Sequence, residues 1–198
     1  MVSFYFLGVK FTVSIGFLCL VTAMLYIDKS GLLLPALEAV LLHECGHIVA
    51  LKLQKANIEN VYLKVGCIGI EGRYNLTLKG EIIMLLSGSA INIFCGICYY
   101  SGYLYFDKIL LLNRFIIMFS VGIFNVFPII GLDGGDLLYI LISRLFGLEI
   151  AAVIIKVISI IFISLLFVLG VAILKDTENN PSLLLLSAYL YVCTFKKI

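Results

Sequence analysis

The 198-residue chain has only two histidines, His43 and His47, and both fall in the stretch LLHECGHIVA, with Glu44 beside the first. On an α-helix, positions i and i+4 share a face and lie about 6 Å apart along the axis. Two imidazoles at that spacing can bind one zinc ion, and the glutamate between them reaches a metal-bound water. The metal lowers the pKa of that water toward about 7, and the carboxylate takes its proton as the oxygen attacks a carbonyl carbon. The pattern therefore describes a hydrolytic centre, with His43 and His47 as ligands and Glu44 as general base. The competing reading is two packing histidines. It is weakened by the setting, because an ionisable group in an apolar, membrane-like segment is a functional-site hypothesis by default. Gly46 fits the same picture, since a missing side chain there lets another backbone or a substrate approach.

A catalytic zinc usually has three protein ligands plus water, so one more is needed. Glu38 lies on nearly the opposite helix face from His43 and toward the outer membrane surface, and Asp107 sits at a span boundary away from the site. The remaining stretch is NVFPIIGLDGGDLL, Asn125 to Leu138. There Pro128 interrupts a span, and Gly131, Gly134 and Gly135 permit irregular backbone around Asp133. Broken backbone inside a membrane is tolerated where it lines a buried or watery site. Asp133 is the expected third ligand, with Asp136 as its nearest competitor, better suited to capping the following helix or facing water.

The elements that must position these groups follow from composition. Hydrophobic residues make up 63% of the chain and charged ones 13%, too little polar surface to cover a soluble core. The net charge of +2 says nothing about nucleic acid, but no basic stripe with interleaved aromatics appears, so no nucleic-acid partner is expected. The expected fold class is an all-α polytopic membrane protein of about six helices, with a three-helix catalytic core and a small β-hairpin or sheet at the cytoplasmic interface. The expected spans are Phe11–Ile27, Gly31–Lys52, Ile82–Tyr103, Ile109–Ile130 and Ala151–Leu174, closed by the shorter run Ser182–Phe195 after an Asn-Asn-Pro start signal. The first is read as a retained span, not a cleaved signal. Between the second and third spans, Val61–Val65 and Ile68–Ile70 read as strands, Glu71-Gly72-Arg73 as a turn and Tyr74–Leu78 as a further alternating stretch. Such a hairpin serves either as a structural loop or as an edge that pairs with an extended peptide. The chain is expected to form one domain over residues 1–198, with the core near 31–139, the hairpin region near 59–79 and C-terminal helices near 150–198.

Orientation follows from Lys and Arg near the span ends. With both termini cytoplasmic, that side collects Lys52, Lys55, Lys64, Arg73, Lys79, Arg144, Lys196 and Lys197, against Lys29, Lys108 and Lys175 outside. The histidines then lie in the inner half of their span. The six cysteines, including Cys95 and Cys98 as C-x-x-C and Cys45 within the zinc motif, read as small packing residues.

Taken together, H-E-C-G-H on one span and N-x-x-P-x-x-x-L-D-G-G two spans later resemble the site-2 protease family of intramembrane zinc metalloproteases (peptidase M50). The resemblance covers about Gly31 to Tyr139. It implies that Asp133 of the L-D-G motif completes the zinc site, that Asn125 holds the substrate backbone near the scissile bond, and that Gly88-Ser89-Ala90-Ile91-Asn92 is a Gly-x-x-x-Asn helix-packing element. One departure is local: many relatives carry a proline where this chain has Gly131. No stretch reads as a PDZ or CBS domain. A short chain with a span ahead of the zinc helix is similar to the sporulation branch, which releases a sigma factor from its membrane-bound pro-form. The expected activity is thus a zinc-dependent endopeptidase in the bacterial cytoplasmic membrane or the membrane around the forespore. Its expected partners are a membrane-associated protein substrate, the lipid bilayer and inhibitory membrane proteins. The alternative is a membrane zinc transporter or metal-binding protein that does not hydrolyse peptides.

Overall fold

The computed structural model of the chain describes residues 1–6, 9–64, 67–176 and 181–196. Val65, Lys197 and the Asn179-Asn180 pair, each part of an expectation above, lie outside them. Along the chain run β1 (Val2–Phe6), β2 (Val9–Val13), α1 (Ile15–Ile27), α2 (Leu33–Leu53), β3 (Asn57–Lys64), β4 (Cys67–Arg73), α3 (Leu78–Phe106), α4 (Ile109–Asn125), α5 (Asp133–Phe146), α6 (Leu148–Asp176) and α7 (Ser182–Lys196). The protein is mainly helical with one small sheet. Among the described residues, three helices are long and apolar enough to cross a membrane: Leu33–Leu53, Leu78–Phe106 and Leu148–Leu174. Their outward residues are large and apolar, among them Leu41, Phe94, Leu104, Val153 and Leu165, as lipid-facing positions require. The chain is built as an integral membrane protein.

Two compact units divide it, Met1–Ile123 and Phe124–Ile198. In the first, the sheet has the order β1-β2-β3-β4, antiparallel at both ends and parallel between β2 and β3, with Phe11 opposite Val61. Val9, Leu51, Ile58 and Val61 form its buried cluster, with Ile48 and Met84 packed against it. The sheet is therefore anchored to the last turns of α2 and the first turns of α3. The expected Phe11–Ile27 span is corrected here. Phe11–Val13 belong to β2, where Thr12 Oγ1 donates to Asn60 Oδ1 at 2.9 Å, and the helix that follows has 13 residues.

Glu71-Gly72-Arg73 is likewise strand and not turn. Gly72 is needed because a Cβ there would run into the Asn57 carbonyl oxygen, beside a register shift between Ile58 and Asn60. Here the glycine marks a bulge. Tyr74–Leu78 is not a strand either, since Thr77 caps α3 by accepting the Gly80 N–H at 3.2 Å. At the other end of the unit, Asp28 gathers the N–H groups of Ser30, Gly31 and Leu33 ahead of α2. The Ser30 hydroxyl, then the Leu33 N–H, hold this carboxyl below its ordinary value. Farther along the same helices, Glu38 of α2 accepts from Tyr99 of α3 and from Arg114 of α4, the latter at 2.5 Å.

In the second unit, α5 and α7 each pack on α6, and Ile129 joins Ile163 of α6 and Leu190 of α7 in a buried cluster. The expected Ile109–Ile130 span is shorter than drawn: α4 ends at Asn125, and Pro128, which has no N–H, follows in an irregular stretch. Pro181 stands just before α7, with its carbonyl accepting the Leu185 N–H at 2.9 Å.

Candidate metal centre

His43 and His47 are the eleventh and fifteenth residues of the 21-residue α2 and are both 6% exposed. Their Nε2 atoms face each other at 3.2 Å. His47 Nδ1 lies 2.8 Å from the Met84 carbonyl oxygen. A carbonyl can only accept, so Nδ1 carries the proton and Nε2 of the neutral ring presents a lone pair toward His43. A backbone carbonyl on the far nitrogen is the usual means of orienting a metal-binding histidine.

The space for the two rings is made by α3. A Cβ on Gly88 would lie 2.7 Å from His43 Cε1 and from His47 Nε2. A Cβ on Gly46 would lie 2.6 Å from the Ser87 carbonyl oxygen and 2.9 Å from Gly88 Cα. The two glycines thus let the helix backbones meet beside the imidazoles, as small residues do in membrane helix pairs. Two nitrogen donors converging in a buried, glycine-lined space fit a zinc ion. Glu44 is half-buried on the neighbouring face, and Cys45 points outward. Cys45, Cys95 and Cys98 are all free thiols.

The Gly88–Asn92 element lies on the buried face of α3. Asn92 is fully buried, and a Cβ on Gly122 of α4 would lie 3.2 Å from the Asn92 Cβ.

The second unit carries Asn125, the half-buried last residue of α4, and Asp133, the half-buried first residue of α5. Asp133 and Asp136 both occupy the first turn of α5, where the positive end of the helix favours carboxylates. The backbone before them is closely accounted for. The N–H groups of Phe127, Ile129 and Leu132 bond to the carbonyls of Phe124, Phe127 and Ile129 at 2.8–3.1 Å, and that of Ile130 bonds to Ser159 Oγ at 2.9 Å. A Cβ on Gly134 would run into the Val126 carbonyl oxygen, and one on Gly135 into that of Ile129. The paired glycines of L-D-G-G are therefore required by the loop lying across the first turn of α5. Gly131 has φ +97°, which a proline ring fixed near −65° cannot adopt. The turn ahead of Asp133 is made here by glycine, in place of the proline of many relatives of the resembled family.

Two features had no sequence signal of their own. The Met84 carbonyl is backbone, which every residue type carries. Gly88 was marked as a packing position, but its contact with the rings depends on the α2–α3 crossing.

No protein-family model and no curated protein sequence matches the chain. Among solved structures, the fold is similar to that of the Site-2 protease from Methanocaldococcus jannaschii, with a TM-score of 0.72 and 21% identity, covering 98% of this chain and 94% of that one. At that identity the likeness is one of fold.

Proposed function

We propose that the chain is an intramembrane zinc endopeptidase in which His43, His47 and Asp133 hold the metal, Glu44 is the general base and Asn125 orients the substrate. The observation that carries the reading is the buried imidazole pair, with Nε2 atoms 3.2 Å apart and the far nitrogen of His47 fixed by a carbonyl. The likeness of fold to a Site-2 protease supports it. Zinc, when bound, supplies Lewis acidity toward water and a peptide carbonyl.

The chain's own residues do the rest. Glu44 takes the proton of the attacking water and delivers it to the leaving amine. Asn125 hydrogen-bonds the substrate backbone beside the scissile bond. A helical substrate must first unwind, because its carbonyls are already bonded. In the first unit, β4 is an edge of the sheet and offers strand pairing to the unwound segment.

In this reading the chain works as one protease domain and crosses the bilayer six times with both termini cytoplasmic. The shorter α1, α4 and α7 cross where the bilayer thins around them. The substrate class is a membrane-associated protein, and a membrane-tethered pro-sigma factor of sporulation is the first to test. An inhibitory membrane protein would restrain cleavage.

Co-expression of the chain with such a substrate tests the reading. Glu44→Gln should retain zinc and fold while cleavage falls about 10²–10⁴-fold. Undiminished cleavage by that variant, or zinc flux into proteoliposomes without cleavage, would overturn it.

A further inference from the structure

Ser159 stands in the middle of α6, 26 residues from Asp133 in sequence, on a buried stripe with Ala151, Ile155 and Ile163. It is the polar member of that stripe and is 0% exposed. Its hydroxyl donates to the Ile155 carbonyl at 2.7 Å, one helical turn back. The same oxygen accepts the N–H of Ile130 at 2.9 Å. Ile130 is 6% exposed and lies in the irregular stretch between Pro128 and Asp133. In a water-free interior a backbone N–H without a partner costs several kcal/mol, and Ser159 spares Ile130 that cost. The neighbouring Ile129 is pinned as well, its side chain buried with Ile163 and Leu190. The segment that delivers Asp133 is therefore fastened to α6 at consecutive residues, once by packing and once by a hydrogen bond.

We propose that Ser159 is a positioning residue of the metal site: by holding the Ile130 N–H it fixes the broken backbone that sets where the Asp133 carboxylate stands. This rests on the zinc reading above. The hydroxyl suits the task because its donor is committed to α6 itself, which leaves its lone pairs directed away from the helix. A purely structural serine would affect only how often the chain is folded. A positioning serine also changes the affinity of the folded chain for metal.

Ser164 supplies the control. It lies on the same helix and donates to the Ile160 carbonyl at 2.7 Å, but it is exposed. The test is zinc affinity of the full-length protein in detergent, measured by chelator competition on the folded fraction. Ser159→Ala should weaken zinc binding about 10–100-fold, the range seen when a group orienting a ligand is lost. Ser164→Ala should stay within about twofold of the parent, while Ser159→Thr, which keeps the hydroxyl, should recover most of the loss. If Ser159→Ala fails to fold, Ser159→Cys keeps a weaker acceptor of similar shape and should give an intermediate affinity. Parental affinity in Ser159→Ala or Ser159→Cys, or an equal loss in Ser164→Ala, would overturn the assignment. Parental zinc binding that Asp133→Ala weakens but Ser159→Ala does not sinks this inference alone. A parent that binds no zinc sinks the metal reading with it.

Discussion

The α2–α3 pair and the Phe124–Asp136 stretch carry different members of the proposed site, and they are held in contrasting ways. Along α2 and α3 the backbone is regular, and the fit is made by what is missing: side chains at Gly46 and Gly88. Between α4 and α5 the backbone is irregular, and the fit is made by what is added: a serine hydroxyl, a buried isoleucine and a glycine at φ +97°. A helix satisfies its own hydrogen bonds, so a site on it needs only room. A broken segment lacks that ladder, and here the Ile130 N–H takes its partner from α6. The first arrangement should therefore fail by steric filling, and the second by loss of a partner or of a permitted φ.

The largest effect is expected at Gly88. Gly88→Leu should place carbons where the imidazoles stand and abolish zinc binding, while Gly88→Ala should reduce it at least tenfold, both measured by metal content after purification. If the larger side chain leaves metal content intact, the helix pair does not define the site by shape.

Next comes Gly131. Gly131→Pro should destabilise by about 3 kcal/mol and Gly131→Ala by about 1–2 kcal/mol, read from thermal unfolding in detergent, since both oppose a positive φ but proline forbids it. The order matters, because many relatives of the resembled family carry proline at this position. If proline were tolerated better than alanine, the turn described here would be wrong.

A smaller effect belongs to the Glu38–Tyr99–Arg114 group. Glu38→Gln leaves Arg114 unbalanced and should lower stability more than the double change Glu38→Gln with Arg114→Gln, which removes both charges. A double variant less stable than the single one would mean that the pair contributes beyond compensating its own charges.

The smallest concerns Asp28. Its folded-state value lies below its unfolded one, so its contribution is present above about pH 4 and fades as pH falls through the lowered value. Asp28→Asn should flatten that acid limb of a stability–pH profile and leave neutral pH nearly unchanged. An unaltered acid limb would remove the carboxylate from the account.

The same contrast explains what could be read from sequence. His43 and His47 were legible because helical spacing alone brings their nitrogens together. The irregular backbone around Asp133 was legible from its breakers, Pro128, Gly131, Gly134 and Gly135, whereas the hydrogen bond from Ile130 to Ser159 joins residues 29 apart and has no local signal. The first two strands were missed because Val9, Phe11 and Val13 merge into the apolar run of α1. What makes them strands is pairing with residues near 60, a long-range fact. Gly72 was misread for a related reason: a glycine beside charged residues signals a turn, whereas the carbonyl crowding it belongs to β3.

The parallel register of β2 and β3 also imposes an order on biogenesis. The N-terminal hairpin leaves the ribosome about 45 residues before the strand it must pair with, with α1 and α2 emitted in between. Parallel neighbours in one sheet require a crossover connection, and α1 and α2 supply it here. Sheet closure therefore cannot precede synthesis of α2, and β2 keeps an open edge until the histidine-bearing helix and the strand after it have been made.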